Sequence, residues 1–160
     1  MIGKKIWKNM TNEMIEQLDE EDKIRKKIGC KWVFKVKRNG TFRARLVAQG
    51  FTQIKGINYD ANFSPVVKDI CHRIVMAKVL SNEHWKKTIT DVETAFLYGE
   101  LDKVLFMMCP LGYLEIINEL IKEKKDLIDA ETYKEAIRFV MLRKSIYGLV
   151  QAARTWWKNL

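Results

Sequence analysis

The chain reads as an α+β fold, and three observations carry that reading. Two short segments alternate apolar and basic residues on either side of Asn39-Gly40, the pattern of a β-hairpin. Longer stretches, among them residues 7–18 and 65–80, space their apolar residues as amphipathic helices do. An apolar run at 104–108, bounded by Asp102-Lys103 and Pro110, has the length of a buried strand.

Taken in order, Trp7, Met10, Met14, Ile15 and Leu18 predict a first helix that ends near the acidic run at 19–22. The hairpin follows. In its first strand Cys30, Trp32, Phe34 and Val36 alternate with Lys31, Val33, Lys35 and Lys37. In its second, Phe42, Ala44, Leu46 and Ala48 alternate with Arg43, Arg45 and Val47. A two-residue loop would set Lys37 opposite Phe42 and mix the faces. A three-residue loop, Arg38-Asn39-Gly40 with Gly40 left-handed, keeps Lys35 with Arg43 and Phe34 with Ala44, so that loop is predicted. Residues 50–62, broken by Gly50, Gly56, Asn58 and Asn62, read as loop. Ser64-Pro65 predicts a helix start with Val67, Ile70, Cys71, Ile74, Ala77 and Leu80 facing inward and a stop near Ser81-Asn82. Residues 88–92 read as a short strand with Asp91 near its end, and 95–98 as a helical turn closed by Gly99. Residues 114–142 lack Pro and Gly and read as one or two helices; 145–151 form a turn around Gly148, and 152–160 begin a last helix.

The charge is localised. The chain holds 29 Lys and Arg against 20 Asp and Glu, a net +9. Between Lys23 and Tyr59 stand eleven basic residues and no acid, which leaves 18 basic against 20 acidic elsewhere. A basic stripe of this kind suits a phosphate backbone or a nucleoside triphosphate, or else it is a solvated outer face. With 160 residues and 48% apolar content, the chain is long and apolar enough for a globular core. No stretch approaches the ~20 apolar residues of a membrane span, and the first ten residues lack the apolar run of a secretory signal. Cys30, Cys71 and Cys109 match neither a disulfide framework nor a zinc motif, which points to a reducing, intracellular setting, cytoplasmic or nuclear. His72 and His84 have no companions at ligand spacing.

Asp91 at the end of a predicted strand, beside a tight turn, is one way to hold a divalent metal and also an ordinary way to build a turn. Its neighbours add to it. The blocks IGCKWVFKVK (28–37), RARLVAQGF (43–51), GINY (56–59), FSPVVK (63–68), DVETAFLYGEL (91–101) and KSIYGLVQAAR (144–154) stand in an order that resembles the N-terminal part of a copia-type reverse transcriptase, the polymerase of long-terminal-repeat retrotransposons. The resemblance implies fingers and part of the palm of a right-hand polymerase, truncated: about 1–85 as fingers with the hairpin at 30–48, and about 86–160 as partial palm with a helical insertion near 114–140. It implies Asp91 as the first catalytic, metal-binding aspartate, joined by the Val92 carbonyl, with Mg²⁺ as the ion. It implies that Lys35, Lys37, Arg43 and Arg45 face the template or the triphosphate, with planar guanidinium groups suited to phosphate. Phe96 takes the place of the aromatic under the sugar, and the alternative for it is a core aromatic. Tyr147, Gly148 and Gln151 match the block that lines the nucleotide pocket, while Trp32 and Phe34 are assigned to packing.

The partners so implied are a template-primer and a deoxynucleoside triphosphate, with no membrane. The sequence departs from the family pattern at Gln49, Val150 and Ala153, in a short segment before Ile28 and a long one at 114–138. The adjacent aspartates of the later palm hairpin do not occur in the chain, so a missing C-terminal polymerase portion is expected, with the chain catalytically inactive alone. Two other readings stand beside this one: a nucleic-acid-binding module without chemistry, and an inert transposon remnant.

Overall fold

The computed structural model describes residues 6–10, 12–18, 27–123 and 139–160. The expected acidic helix end at 19–22 and the middle of the expected helical stretch, 124–138, lie outside the described residues. The elements are β1 (Trp7–Met10), α1 (Asn12–Glu16), β2 (Cys30–Val36), β3 (Phe42–Ala48), α2 (Asp69–Leu80), β4 (Glu100–Met108), α3 (Tyr113–Glu123), β5 (Phe139–Lys144) and α4 (Ala152–Lys158), with 3₁₀ turns at Gly50–Thr52 and Ala95–Tyr98. The mixture is α+β, as expected.

Strands β1, β5 and β4 form an antiparallel sheet in that order, and β2 and β3 form the hairpin. The two meet at Ile28. Its N–H donates to the Phe106 carbonyl at 2.8 Å and its carbonyl accepts from Met108 N at 2.9 Å, a parallel bridge to Met107. The core lies where hairpin base, sheet and C-terminal turn converge, on Ile28, Leu46, Leu105, Met107, Val140 and Ile146, each at most 1% exposed. Alternation places these residues: Val140 and Leu142 of β5 point inward and Arg143 outward. Above β1, Trp7 Nε1 donates to the Tyr113 hydroxyl, which donates on to Asn9 Oδ1, each at 3.2 Å.

The hairpin has the expected register. Lys35 pairs with Arg43 and Phe34 with Ala44, Gly40 N donates to the Lys37 carbonyl, and Gly40 has φ +80°. One face therefore carries Lys31, Lys35, Arg43 and Arg45, and the other the apolar set. Leu46 and Ala48 at the base are buried, but Phe34, Val36 and Phe42 near the tip are exposed, because the sheet underlies only the base. Phe34 thus leans on Trp32, with ring centroids 6.4 Å apart, instead of entering the core.

Several expectations fail. Residues 7–10 form an edge strand rather than the start of a helix; β5 offers a free edge, and pairing outweighs a spacing carried by few residues. Helix α2 starts at Asp69, with Lys68 as an extended N-cap that makes no side-chain capping bond, not at Ser64-Pro65. Consecutive Val66 and Val67 lose side-chain freedom in a helix, which favours the extended form there. None of α2 is buried: Ile70, Ile74 and Leu80 all face outward, contrary to the inward face expected of them. Its stop at Ser81 agrees. Residues 86–92 are irregular rather than a strand and pair with neither sheet: β5 is flanked by β1 and β4, and beyond β5 strand β4 is bridged, among the described residues, only at Met107, by Ile28. The helical stretch expected over 114–142 is helix only to Glu123 among the described residues, and it is strand from Phe139, where Phe139-Val140-Met141-Leu142 pairs on both sides. The turn at 95–98 closed by Gly99, the Gly148 turn and the last helix stand as expected. A strand runs through 104–108 as expected, but only Leu105, Phe106 and Met107 are buried, since Val104 and Met108 face outward.

Candidate functional site

The basic face of the hairpin forms one wall of a cleft of about 480 Å³. Arg43 and Arg45 line that wall; Asp91, Val92, Glu93, Thr94 and Phe96 line the opposite one, and Tyr147 stands between them. The Arg45 guanidinium lies 5.4 Å from the Tyr147 ring centroid, and Phe96 meets the same ring edge-on at 5.1 Å and 66°. Arg45, Tyr147 and Phe96 therefore form a continuous chain of contacts from hairpin to turn.

Each wall has a local cause. The period-two pattern and the three-residue loop turn Arg43 and Arg45 to the side away from Leu46. The 3₁₀ turn at Ala95–Tyr98 buries Leu97 and leaves Phe96 half-buried at the rim. Thr94, which caps that turn, has φ +56°, a conformation rare for a β-branched residue and common at sites where the surrounding structure dictates the backbone. Tyr147 is placed by Gly148. That glycine has φ +91°, and a Cβ there would meet the Ala48 carbonyl and, at 2.6 Å, Val47 Cγ1. The close approach lets Ala48 N donate to the Tyr147 carbonyl at 2.8 Å.

Six of the residues singled out in the sequence thus share the cleft: Arg43, Arg45, Asp91, Val92, Phe96 and Tyr147. Lys35 lies beside Arg43 on the same face and Lys37 at the loop, both exposed and outside the cleft lining. Gly148 packs against the hairpin rather than lining the cleft. Gln151 is 6% exposed and turned away from it: Gln53 Nε2 donates to its Oε1 at 3.0 Å, and its own Nε2 donates to the Asn58 carbonyl at 3.4 Å. Gln53 also accepts from Val150 N at 2.9 Å, so the loop after the hairpin clamps the 145–151 turn. Lys103 pins the same loop through the Gly56 carbonyl and Asp60, the latter at 2.7 Å.

Glu93 and Thr94 were not anticipated. Glu93 was visible as a second carboxylate in DVET, while Thr94 carries no sequence signal for its left-handed backbone. Gln53 and Asn58 read as plain loop residues.

As a metal centre the arrangement is incomplete. Asp91 and Glu93 are both exposed carboxylates, and among the described residues no group of three His, Cys, Asp or Glu could hold an ion. A two-metal centre needs more ligands than these. Among the described residues Asp91, Val92 and Glu93 therefore supply part of a divalent-metal site and do not complete one.

The family profile described as reverse transcriptase (RNA-dependent DNA polymerase) matches residues 13–160. The chain belongs to that family. It is 35% identical over 157 residues to the retrovirus-related Pol polyprotein from transposon TNT 1-94 of Nicotiana tabacum, covering 95% of this chain and 10% of that protein. It is 36% identical over 138 residues to the Pol polyprotein from transposon RE2 of Arabidopsis thaliana, covering 83% of this chain and 8% of the relative. The chain thus spans about a tenth of the length of these copia-type relatives. No solved structure matches. Among the described residues no helix is long and apolar enough to cross a membrane.

Proposed function

We propose that this reverse transcriptase chain supplies the surface that receives template-primer and nucleotide, with the hairpin as fingers and the three-stranded sheet as the first part of the palm. The observation that carries the reading is the cleft itself: two arginines on one wall face Asp91 and Phe96 on the other. Arg43 and Arg45 bind phosphate by charge-assisted hydrogen bonds, and Tyr147 holds Arg45 in orientation. Phe96 offers a flat, stiff edge against a sugar. In this reading Asp91 serves as the family's first metal-binding aspartate and the Val92 carbonyl joins it; their shared position in the cleft lining supports this.

Enzymes of this family use divalent metal ions, but one aspartate with Glu93 beside it does not hold two. The chain by itself therefore binds and orients without polymerising. Its setting is intracellular, where nucleic acid template and deoxynucleoside triphosphates are available.

Fluorescence anisotropy with a labelled template-primer over a salt series tests the reading. The Arg43→Ala/Arg45→Ala pair should weaken binding and lower the slope of log K against log salt by about 2, near one per phosphate contact. Asp91→Ala should leave binding unweakened. An unchanged slope in the double variant would remove the hairpin from the interface. Primer extension with Mg²⁺ by this chain, lost in Asp91→Ala, would overturn its proposed inactivity alone.

The incomplete carboxylate set also supports a second reading, a binding module with no chemistry. It is favoured if the chain binds template-primer equally well with and without deoxynucleoside triphosphate.

A further inference from the structure

Cys30 and Cys109 lie outside the cleft, at the seam where the hairpin joins the sheet. The parallel bridge between Ile28 and Met107 sets their relation. The bridge is a single one, but its register carried forward two residues would set Cys30 level with Cys109, and neighbours at one level of a parallel pair project to the same face. Adjacent strands lie about 4.8 Å apart, and a disulfide requires Cα atoms about 4.4–6.8 Å apart. The Cys30 thiol already reaches across the seam and donates to the Met108 carbonyl at 3.4 Å. Both side chains pack half-buried against the core. The Cys109 thiol is pushed up to about 11, by burial first and then by Cys30 and Glu115, so Cys30 lies within electrostatic reach of it. Cys71, the third cysteine, is exposed on α2.

We propose that Cys30 and Cys109 form a reversible disulfide by exchange with a small-molecule disulfide of the glutathione type, stapling the base of the basic hairpin to the end of β4. In the first step the Cys30 thiolate attacks one sulfur of glutathione disulfide, breaking that S–S bond and releasing a glutathione thiolate. In the second the Cys109 thiolate attacks the Cys30 sulfur and releases the other glutathione. The two protons lost by the cysteines end on the two glutathione thiols. Two protein thiols are oxidised and one disulfide is reduced. Cys30 suits the first attack, since burial alone raises its thiol, whereas Cys109 is held up by neighbouring charge as well. Both raised thiols make the pair slow at neutral pH and faster in alkali. Closed, the staple prevents the hairpin from lifting off the sheet at the point where a single bridge holds it.

The full 160-residue chain is equilibrated in oxidised and reduced glutathione, quenched in acid, alkylated and digested with trypsin. Cleavage after Lys27, Lys31, Lys68, Arg73 and Lys103 puts each cysteine in its own peptide. The expected result is a Cys30–Cys109 link as the dominant disulfide of the monomer, retained in Cys71→Ser and lost in Cys109→Ser. Its rate should rise about tenfold per pH unit below the thiol pKa values. The same reaction in guanidinium should lose the selectivity. Separate glutathione adducts on Cys30 and Cys109, a dominant link through Cys71, or equal selectivity in the denatured chain would each overturn the proposal.

Discussion

Ser145 sits at the end of β5 with its backbone N–H bound to the Gly99 carbonyl at 2.7 Å, yet its fully buried hydroxyl has no hydrogen-bond partner among the described residues. A buried unpaired hydroxyl costs about 1–3 kcal/mol, so Ser145→Ala should stabilise the chain by about 1 kcal/mol in urea unfolding. No gain would mean that the hydroxyl is satisfied in solution. Cys109 makes a pH prediction of its own. Its folded thiol lies at about 11 against an unfolded 9.0, chiefly through burial. The folded state then holds the proton longer than the unfolded state. This contribution is fully present below the unfolded value and is lost as pH rises through the folded one. Thermal melts should therefore show stability falling between pH 9 and 11, with a smaller fall in Cys109→Ala. An equal fall in the variant would assign the alkaline loss to other groups.

At the scale of elements, the hairpin and the C-terminal turn depend on glycine for their contact. Gly148 needs its left-handed backbone, and any Cβ there points into the Ala48 carbonyl. Gly148→Ala should cost about 3 kcal/mol, combining left-handed strain with backbone displacement. It should also weaken template-primer binding beyond the stability loss, because Tyr147 and the Arg45 above it move with the turn. A variant of normal stability and affinity would show that the turn adapts freely. The hairpin was the most legible element in the sequence. Its alternation and its Asn39-Gly40 signal are local, and face parity left one loop length consistent with both strands. The Gly148 turn was legible for the same reason. Helix α2 was only half legible: Ser81-Asn82 stops it as expected, but Val66 and Val67 delay its start. Strand β1 was misread, because four residues can satisfy a helical or an extended pattern and the choice rests on β5, more than a hundred residues away.

Across the whole molecule the described residues divide into a well-packed seam and an outlying helix. Strand β4 buries three residues, and β1, β3 and β5 two each, while α2 buries none. An isolated helix of this length is marginal in water. Hydrogen exchange should therefore be faster by orders of magnitude for amides of 73–80 than for those of 105–107 and 140–142. Equal protection would show that α2 packs in solution on a surface to which it is not docked here. The exposed apolar residues of α2 and of the hairpin tip also make the free chain prone to association, an effect separate from the proposed binding of nucleic acid.

The sequence alone determined the hairpin, its basic face, the turns at Gly99 and Gly148, and membership of the reverse transcriptase family, because each is written in local pattern or in the order of short motifs. It also placed Arg43, Arg45, Asp91, Phe96 and Tyr147 in one functional reading, though not at one location. Tertiary structure decided which residues share the cleft. Arg45 reaches Tyr147 because Ile28 bridges to β4 and Gly148 admits the hairpin. Gln151 turns away because Gln53 and Asn58 take its amide. Cys30 reaches the Met108 carbonyl, next to Cys109, through a parallel bridge that spacing along the chain does not encode. Pairing partners, backbone close approach and the competition for a buried amide are non-local quantities, set by what the rest of the fold brings alongside.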